Sequence, residues 1–354
     1  MKICVTGGTG FIGSALVLQL VNKTEHFVVN IDSLTYAARP ESLASVSTHE
    51  RYHFEQGDIA DQEFVQRVIS THRPDWIINL AAESHVDRSI DGPGGFVHTN
   101  ILGTFILLEE ARNYFANLTG EKRNRFRLLH VSTDEVFGSL GDKGLFTEDS
   151  PYDPSSPYSA TKAGADHMVR SWFRTYGLPT LISNCTNNYG PRQFPEKLIP
   201  LVITNALLKK PLPVYGDGQQ VRDWLFVQDH ANALMAILEK GQPGRTYGIS
   251  GRCERPNIDV VKGICSILDN RSPDKTGNSY NDLITYVEDR PGHDRRYAID
   301  PTRINEELAW AAETPFEEGL EQTVEWYLEN VDWWESIRQE KYDGARLGTI
   351  TSPD

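Results

Sequence analysis

The chain begins with the segment Lys2-Ile3-Cys4-Val5-Thr6-Gly7-Gly8-Thr9-Gly10-Phe11-Ile12-Gly13. Its first residues form an apolar run that predicts a buried strand, and the apolar pattern after Gly13 predicts a helix. Gly7 and Gly10 would form a tight turn and let the backbone approach a pyrophosphate at the helix N-terminus, while Gly13 lets helix and strand pack closely. This strand–turn–helix setting predicts a dinucleotide-binding α/β fold.

A second predicted strand, Phe27–Ile31, ends in an acidic residue. Asp32 follows Gly13 by 19 residues. At this spacing a carboxylate bonds the adenosine ribose hydroxyls and repels a 2′-phosphate, so the pattern favours NAD over NADP. The segment Gly57-Asp58-Ile59, which follows the next strand, is a predicted contact to the adenine edge.

The alternation of apolar segments and helical patterns continues along the chain. Each further strand ends in small or polar residues, as a parallel sheet requires at the edge where ligands bind. Six strands therefore predict a Rossmann-type, doubly wound parallel sheet, and Thr246–Ile249 is a candidate for one more. The remaining strands of the six are Arg51–Glu55, Trp76–Leu80, Leu128–Val131 and Thr180–Ser183.

The regular alternation of predicted strands and helices ends after Tyr189, where proline becomes frequent. We predict an NAD-binding Rossmann domain over residues 1–190, which the chain re-enters at about 223–250. Residues 191–222 and 251–332 would form a smaller mixed substrate-binding domain, and residues 333–354 a C-terminal tail. The elements predicted in this half are helices at 198–208, 228–239, 257–268 and 316–327 and a strand at 212–215.

Composition excludes several classes of protein. A net charge of −14 and a pI near 5.2 argue against binding to nucleic acid or to an anionic membrane surface. The apolar runs are too short to span a membrane. The histidines show no His-x-His or His-x-x-x-His spacing, so we expect no metal. The cysteines lack paired spacing and predict a reduced, cytoplasmic protein; they are Cys4, Cys185, Cys253 and Cys265.

A tyrosine and a lysine are placed to act together at a predicted helix start. Ser156 suits the N-cap and Pro157 the first helical position, so Tyr158 and Lys162 share one helix face. A nearby ammonium favours the phenolate, which can then accept a proton from an alcohol. The pattern therefore predicts base chemistry on a hydroxyl, although one such pair could arise by chance among 14 tyrosines.

Polar groups that could bind substrate occur at two further places. Thr133, Asp134 and Glu135 follow an apolar strand, where ligands bind in open α/β sheets. Arginines stand out in the second half of an acidic chain, and their guanidinium groups suit a phosphate. These are Arg222, Arg290, Arg295 and Arg296, for which surface ion pairs with Asp223, Asp289 and Asp294 are the alternative.

Taken together, these residues resemble the extended short-chain dehydrogenase/reductase family and, within it, the dTDP-glucose 4,6-dehydratases, over residues 1 to about 330. Small departures from the family pattern occur at Thr9, Cys253 and Ala309. The motifs specific to the dehydratases are Thr133-Asp134-Glu135, Cys185-Thr186-Asn187-Asn188-Tyr189-Gly190-Pro191, Glu196-Lys197-Leu198-Ile199-Pro200, Arg222-Asp223-Trp224 and Asp289-Arg290-Pro291-Gly292-His293-Asp294.

The resemblance implies dehydration of dTDP-glucose with NAD as cofactor. Tyr158, supported by Lys162 and Thr133, would take the proton of the sugar 4-hydroxyl as hydride leaves C4. Glu135 would remove the C5 proton, and a protonated Asp134 would give its proton to the departing 6-hydroxyl. Hydride would then return to C6, so that the product is dTDP-4-keto-6-deoxy-glucose.

The resemblance also implies two sets of binding residues, which overlap at the active site. The cofactor set is Gly7, Gly10, Phe11, Ile12, Gly13, Asp32, Ser33, Leu34, Thr35, Asp58, Ile59, Leu80, Ala81, Ala82, Ser84, Thr99, Tyr158, Lys162 and Asn188. The substrate set is Ser84, Thr133, Asn187, Lys197, Leu198, Pro213, Val214, Tyr215, Arg222, Asn257, Asp289, Arg290 and His293.

Two rival functions are compatible with the fold. A nucleotide-sugar 4-epimerase would need only Tyr158, Lys162 and Thr133, so the neighbouring acid pair counts against it. A catalytically silent NAD-sensing scaffold would have no use for either pair. We also expect a homodimer, because the helices around 103–114 and 158–176 carry apolar faces, although packing on the sheet would explain these equally.

Overall fold

The computed structural model describes residues 1–289, 293–342, 344 and 347. Its centre is a parallel sheet of seven strands in the order β3-β2-β1-β4-β5-β6-β10. The strands of the molecule are β1 (Lys2–Thr6), β2 (Phe27–Asp32), β3 (Tyr52–Gln56), β4 (Trp76–Asn79), β5 (Arg127–Thr133), β6 (Thr180–Cys185), β7 (Asn187–Tyr189), β8 (Leu212–Tyr215), β9 (Val221–Phe226), β10 (Thr246–Ile249), β11 (Glu254–Pro256) and β12 (Ile284–Val287).

Helices pack on both faces of this sheet and on the smaller sheets of the second half. They are α1 (Phe11–Lys23), α2 (Gln62–His72), α3 (Val86–Asp91), α4 (Pro93–Phe96), α5 (Thr104–Ala116), α6 (Gly120–Arg125), α7 (Pro157–Tyr176), α8 (Leu198–Leu207), α9 (Val227–Lys240), α10 (Asn257–Arg271), α11 (Thr302–Leu308), α12 (Phe316–Glu329) and α13 (Val331–Glu340). Short 3₁₀ segments lie at Pro40–Val46, Asp134–Phe137 and Tyr280–Leu283, and a π-helical segment lies at Val97–Gly103.

The alternation of side chains along β1 shows why two layers of helices are needed. Ile3 and Val5 pack into one apolar cluster with residues of α1 and α9, such as Leu16 and Leu234. Cys4 points to the other face, where α2, α5 and α7 supply a second cluster. A parallel strand buried on both faces reads as a continuous apolar run, as the sequence of β1 does.

The second half of the chain builds a separate apolar cluster around two small sheets. One sheet has the order β11-β9-β7 and the other pairs β12 with β8. Helices α8, α10 and α12 cover them. Trp334 of α13 is buried in the same cluster, so residue 333, where we expected a tail to begin, falls within a packed helix.

The predicted Rossmann-type fold is confirmed, with small differences at the ends of elements. The candidate strand Thr246–Ile249 pairs with β6 at the edge of the sheet. Helix α9 begins one residue before the predicted start, and α10 extends to Arg271. Within the part of the chain that the structure describes, none of the helices has the length and apolar character needed to cross a bilayer.

Candidate active site

The start of α7 fixes the proposed base and its lysine. Ser156 caps the helix by accepting from the Ser159 backbone N–H at 3.1 Å, and the Ser156 N–H donates to Ser159 Oγ at 3.0 Å. Pro157 occupies the first turn, as predicted. This reciprocal capping sets the helix phase, so that Tyr158 and Lys162 both face the same cavity, of about 300 Å³.

The end of β5 brings the acid pair to that cavity. Thr133 is the last residue of the strand, and its side chain accepts from the Glu135 N–H at 3.2 Å, which caps a 3₁₀ turn. The turn places Asp134 and Glu135 on the cavity wall beside Tyr158. The five proposed catalytic side chains therefore line one cavity, although Lys162 follows Thr133 by 29 positions in the chain.

Asp134 and Glu135 occupy different environments. Asp134 is 2% exposed, and burial together with the charge of Glu135 raises its pKa well above the usual value. Its Oδ1 accepts from Thr133 Oγ1 at 3.1 Å, and its buried Oδ2 meets no hydrogen-bond partner within the described chain. Burial therefore favours the protonated form of Asp134, which is the form that a general acid requires.

The environment of Tyr158 differs from the prediction. Burial, followed by the charge of Glu135, raises the pKa of this phenol well above its usual value, and a hydrogen bond with Thr133 works in the opposite direction. The Lys162 ammonium donates to the Val131 carbonyl in this structure. The effect of Lys162 on the phenolate therefore stays a prediction.

Lys162 is 4% exposed and belongs to a buried polar cluster. Its Nζ donates to the Val131 carbonyl at 2.8 Å and lies 3.5 Å from His130 Nε2, whose ring lies 3.4 Å from Asp166. Burial lowers the pKa of Lys162 to about 8, and the charge of Asp166 acts in the other direction. The Lys162 ammonium therefore loses its proton at a lower pH than the ammonium of an exposed lysine does.

The glycine-rich turn has the shape that a bound dinucleotide requires. Gly7 has φ +70°, and a Cβ there would lie 2.8 Å from the Ala81 nitrogen. A Cβ on Gly13 would lie 2.1 Å from the Gly7 oxygen, so any side chain would push the helix off the turn. Asp32 accepts from the Thr9 and Leu34 N–H groups, which holds its carboxylate at the end of β2. These residues fit NAD.

The predicted cofactor residues line the same cavity with one exception. Leu34 does not line it; its φ is +56° and its N–H donates to Asp32, so it shapes the turn instead. The residues found on the wall are Gly7, Gly10, Phe11, Ile12, Gly13, Asp32, Ser33, Thr35, Asp58, Ile59, Leu80, Ala81, Ala82, Ser84, Thr99, Tyr158, Lys162 and Asn188.

A second cavity, of about 560 Å³, adjoins the first. Four residues line both, which places the active site where they meet; they are Glu135, Asn187, Glu196 and Lys197. Most of the predicted substrate residues line the second cavity, namely Asn187, Lys197, Leu198, Pro213, Val214, Tyr215, Arg222, Asn257 and His293. Ser84 and Thr133 line the first cavity, called the cofactor cavity below, instead.

The arginines of the second half have different positions. Arg222 is 5% exposed; it lines the second cavity and donates to the Asp294 carbonyl at 3.0 Å. Arg295 and Arg296 line neither cavity and pair with Asp217 and Glu254.

The predicted loop from Asp289 to His293 is described only at its ends. Asp289 lies off the cavity wall and accepts from Gln220 Nε2 at 2.7 Å and from His293 Nδ1 at 2.5 Å. It therefore orients His293, which lines the second cavity. Arg290 lies outside the described residues.

Sequence reasoning missed Glu196 as a residue between the two cavities. Its carboxylate is 2% exposed, accepts from Tyr36 at 3.0 Å and from Arg88 at 2.8 Å, and so joins three distant segments. The Arg88 guanidinium also lies 3.8 Å from the Tyr36 ring centre. No local pattern marks this contact, because the partners are 160 and 108 residues away.

Comparisons with known proteins agree with this geometry. Residues 4–323 match the model of the GDP-mannose 4,6 dehydratase family. A dTDP-glucose 4,6-dehydratase of Escherichia coli is 54% identical over 99% of this chain and 100% of that protein, and one from Neisseria meningitidis is 56% identical over 98% and 99%.

A solved structure gives the same result. DesIV, a dTDP-glucose 4,6-dehydratase from Streptomyces venezuelae with NAD bound, is 43% identical and aligns with a TM-score of 0.85 over 95% of this chain and 100% of its own. The chain therefore belongs to the dTDP-glucose 4,6-dehydratases, within the family that the GDP-mannose 4,6-dehydratase model describes.

Proposed function

We propose that this protein converts dTDP-glucose to dTDP-4-keto-6-deoxy-glucose with NAD as cofactor. The observation that carries the proposal is that the acid pair Asp134 and Glu135 shares one cavity with Tyr158 and Lys162. When bound, NAD⁺ supplies a hydride acceptor that takes hydrogen from C4 of the hexose and returns it to C6. The reaction is a redox-neutral loss of water.

Oxidation at C4 uses the tyrosine. Tyr158 as phenolate accepts the proton of the 4-hydroxyl. The Thr133 hydroxyl, which donates to Asp134 Oδ1 in this structure, would turn to the phenolate and steady its charge. Burial and Glu135 raise the pKa of Tyr158, so the phenolate depends on positive charge nearby, part of which NAD⁺ would supply when bound. Lys162 adds to that charge while it remains an ammonium.

Elimination of water uses the two carboxyl groups in opposite protonation states. Glu135 as carboxylate removes the C5 proton, which the 4-ketone has made acidic. Asp134 is kept protonated by burial, and its unpartnered Oδ2 is placed to give that proton to the departing 6-hydroxyl. Glu135 then returns its proton to C5 as hydride reaches C6.

At the end of this scheme two side chains are not in the protonation state in which they began. After turnover Tyr158 has gained a proton and Asp134 has lost one, so a proton has to move between them before the next cycle. Thr133 connects the two, since it shares a hydrogen bond with Tyr158 and its Oγ1 donates to Asp134 Oδ1. Thr133 can therefore pass its proton to Asp134 while accepting that of Tyr158.

The second cavity is proposed to hold the nucleotide and its diphosphate. Its size and its position next to Glu135 suit the part of the substrate that lies beyond the hexose. Arg222 and Lys197 supply positive charge on its wall. We assign residues 1–190 and 223–250 to NAD binding and residues 191–222 and 251–332 to the nucleotide sugar.

We further propose that the protein is a cytoplasmic homodimer. Apolar side chains are exposed on the surface of the π-helical segment, α5 and α7: Val97 is 52% exposed, Leu102 41%, Phe105 40% and Tyr176 51%. An exposed patch of this kind is typical of a subunit interface. Light scattering should give twice the mass of the chain, and Phe105→Glu should reduce it to one chain.

The function is tested by incubating the protein with NAD and either dTDP-glucose or UDP-glucose. We expect a 4-keto-6-deoxy product from dTDP-glucose, detected by its absorbance in alkali and by a mass lower by one water. Formation of a 4-epimer without loss of water would favour the epimerase. Binding of NAD with no change in either sugar would favour the silent scaffold.

A further inference from the structure

Two histidines and a glutamate converge on the surface at the β3 edge of the main sheet. His53 and Glu55 lie on β3, and His72 is the last residue of α2. Glu55 Oε1 lies 3.2 Å from His53 Nε2 and 2.8 Å from His72 Nε2. We propose that these three side chains bind a divalent transition-metal ion of the zinc type.

The backbone brings these groups together. Residues two apart on a strand point to the same face, so His53 and Glu55 stand side by side on the edge strand. The ligand atoms of the three groups lie within 4.8 Å of one another. Because zinc bonds of about 2.0–2.1 Å place tetrahedral ligands roughly 3.4 Å apart, side-chain rotations suffice to enclose an ion.

The donor set suits zinc, with one position left open. Two imidazoles and one carboxylate are common zinc ligands, and a water molecule completes four-coordination where the protein supplies three. The side chains of Glu55 and His72 are only 15% and 13% exposed, whereas His53 is 58% exposed. Glu55 and His72 are thus largely enclosed by the protein, whereas an ion and a water molecule can approach the site next to the exposed His53.

Arg67 orients the carboxylate from behind. Its Nη1 and Nη2 both donate to Glu55 Oε2 at 3.2 Å, which directs Oε1 towards the two imidazoles. Ligating carboxylates are usually held by such outer hydrogen bonds.

This site lies apart from the proposed reaction. None of its three ligands lines either cavity within the described part of the chain. A search for His-x-His or His-x-x-x-His spacing does not detect it, because the pattern is His-x-Glu on a strand with the third ligand 17 residues further on. A bound ion would link β3 to the end of α2. Because such an ion binds only the folded chain, it should raise the melting temperature of the protein.

The test uses the full chain without an affinity tag, stripped with EDTA and titrated calorimetrically with Zn²⁺. We expect one ion per chain and a higher melting temperature with Zn²⁺ present. His53→Gln, which is exposed and should fold normally, and Glu55→Gln should each weaken binding at least about tenfold. His167→Gln, an exposed histidine on α7, is the matched control and should bind as the wild type does.

The outcomes are separable. Absence of one-to-one binding by the folded wild type would overturn the proposal. Wild-type affinity in both His53→Gln and Glu55→Gln would overturn it as well, since the ion would then bind elsewhere. Circular dichroism without metal checks that each variant is folded, so a loss of binding reports on the ligands alone.

Discussion

The two cavities differ in how their walls are assembled. The cofactor cavity is lined by the carboxyl ends of parallel strands, such as β1, β2 and β5, whose relative positions follow from the register of one sheet. The second cavity is lined by segments that extend from His85 to Leu347 and belong to several small elements. The register of the sheet fixes the relative positions of the side chains at the ends of its strands. The side chains of the second cavity come from separate segments, so no single register fixes their positions.

This difference predicts that substitutions in the two cavities affect different kinetic constants. The acid pair and Tyr158 act on groups that change during the reaction, so their loss should lower kcat. Residues of the second cavity are proposed to contact parts of the substrate that do not react, so their loss should mainly raise KM, although remote binding also helps to orient the hexose.

The largest effect is expected for Glu135→Gln. An amide cannot remove the C5 proton, so formation of the 4-keto-6-deoxy product should fall by about 10²–10⁴-fold, the usual contribution of a general base. Hydride transfer from C4 should still occur, which absorbance at the nicotinamide band would record in a single turnover. Product formation at the wild-type rate would show that Glu135 is not the base.

Thr133→Val tests the proton return and should have a smaller effect. The valine keeps the shape of the side chain but cannot pass a proton, so a first turnover should be followed by a slower steady state. Rapid-quench kinetics would show this burst, and added imidazole buffer should speed the slow phase by supplying protons. Thr133→Ser is the matched control and should show no burst.

A slowed first turnover in Thr133→Val, without a burst and without an effect of buffer, would contradict the proposed relay. In that case Thr133 would act only by its hydrogen bond to Tyr158. The dehydratase function would be unaffected, because it is judged from the product of the wild-type enzyme.

Arg222→Met should act mainly on binding. Removal of a buried guanidinium that meets a phosphate costs about 1.5–3 kcal/mol for a charge-assisted hydrogen bond, which raises KM by roughly 10- to 150-fold. Arg295→Met is the matched control, because this arginine is exposed and pairs with Asp217 outside the cavity. Equal KM values for the two variants would place the phosphate elsewhere.

The pH dependence offers the smallest effect. Burial lowers the pKa of Lys162 to about 8, so its ammonium is lost as the pH rises through that value. The kcat/KM should therefore fall by up to tenfold per unit above pH about 8. Lys162→Arg keeps the charge, and in that variant the decline should move to higher pH. A wild-type profile that stays level to pH 10 would contradict this assignment.

Much of the cofactor cavity could be predicted because its signals are local. The glycine turn, the acid at the end of β2 and the capped helix start at Ser156 are each encoded within a few residues. By contrast, the contacts of Glu196 and the backbone bonds of Arg222 depend on partners far away in the chain. The cluster of His53, Glu55 and His72 was missed for the same reason.

The sequence by itself determined the parallel sheet, the phase of the Tyr158 helix and the type of cofactor, because strand and helix periods and tight turns depend on neighbouring residues. Tertiary structure alone decided that the pKa values of Asp134 and Tyr158 are raised, since these shifts depend on burial and on charges brought together by folding. It also decided that Lys162 donates to the Val131 carbonyl, which no spacing along α7 could reveal.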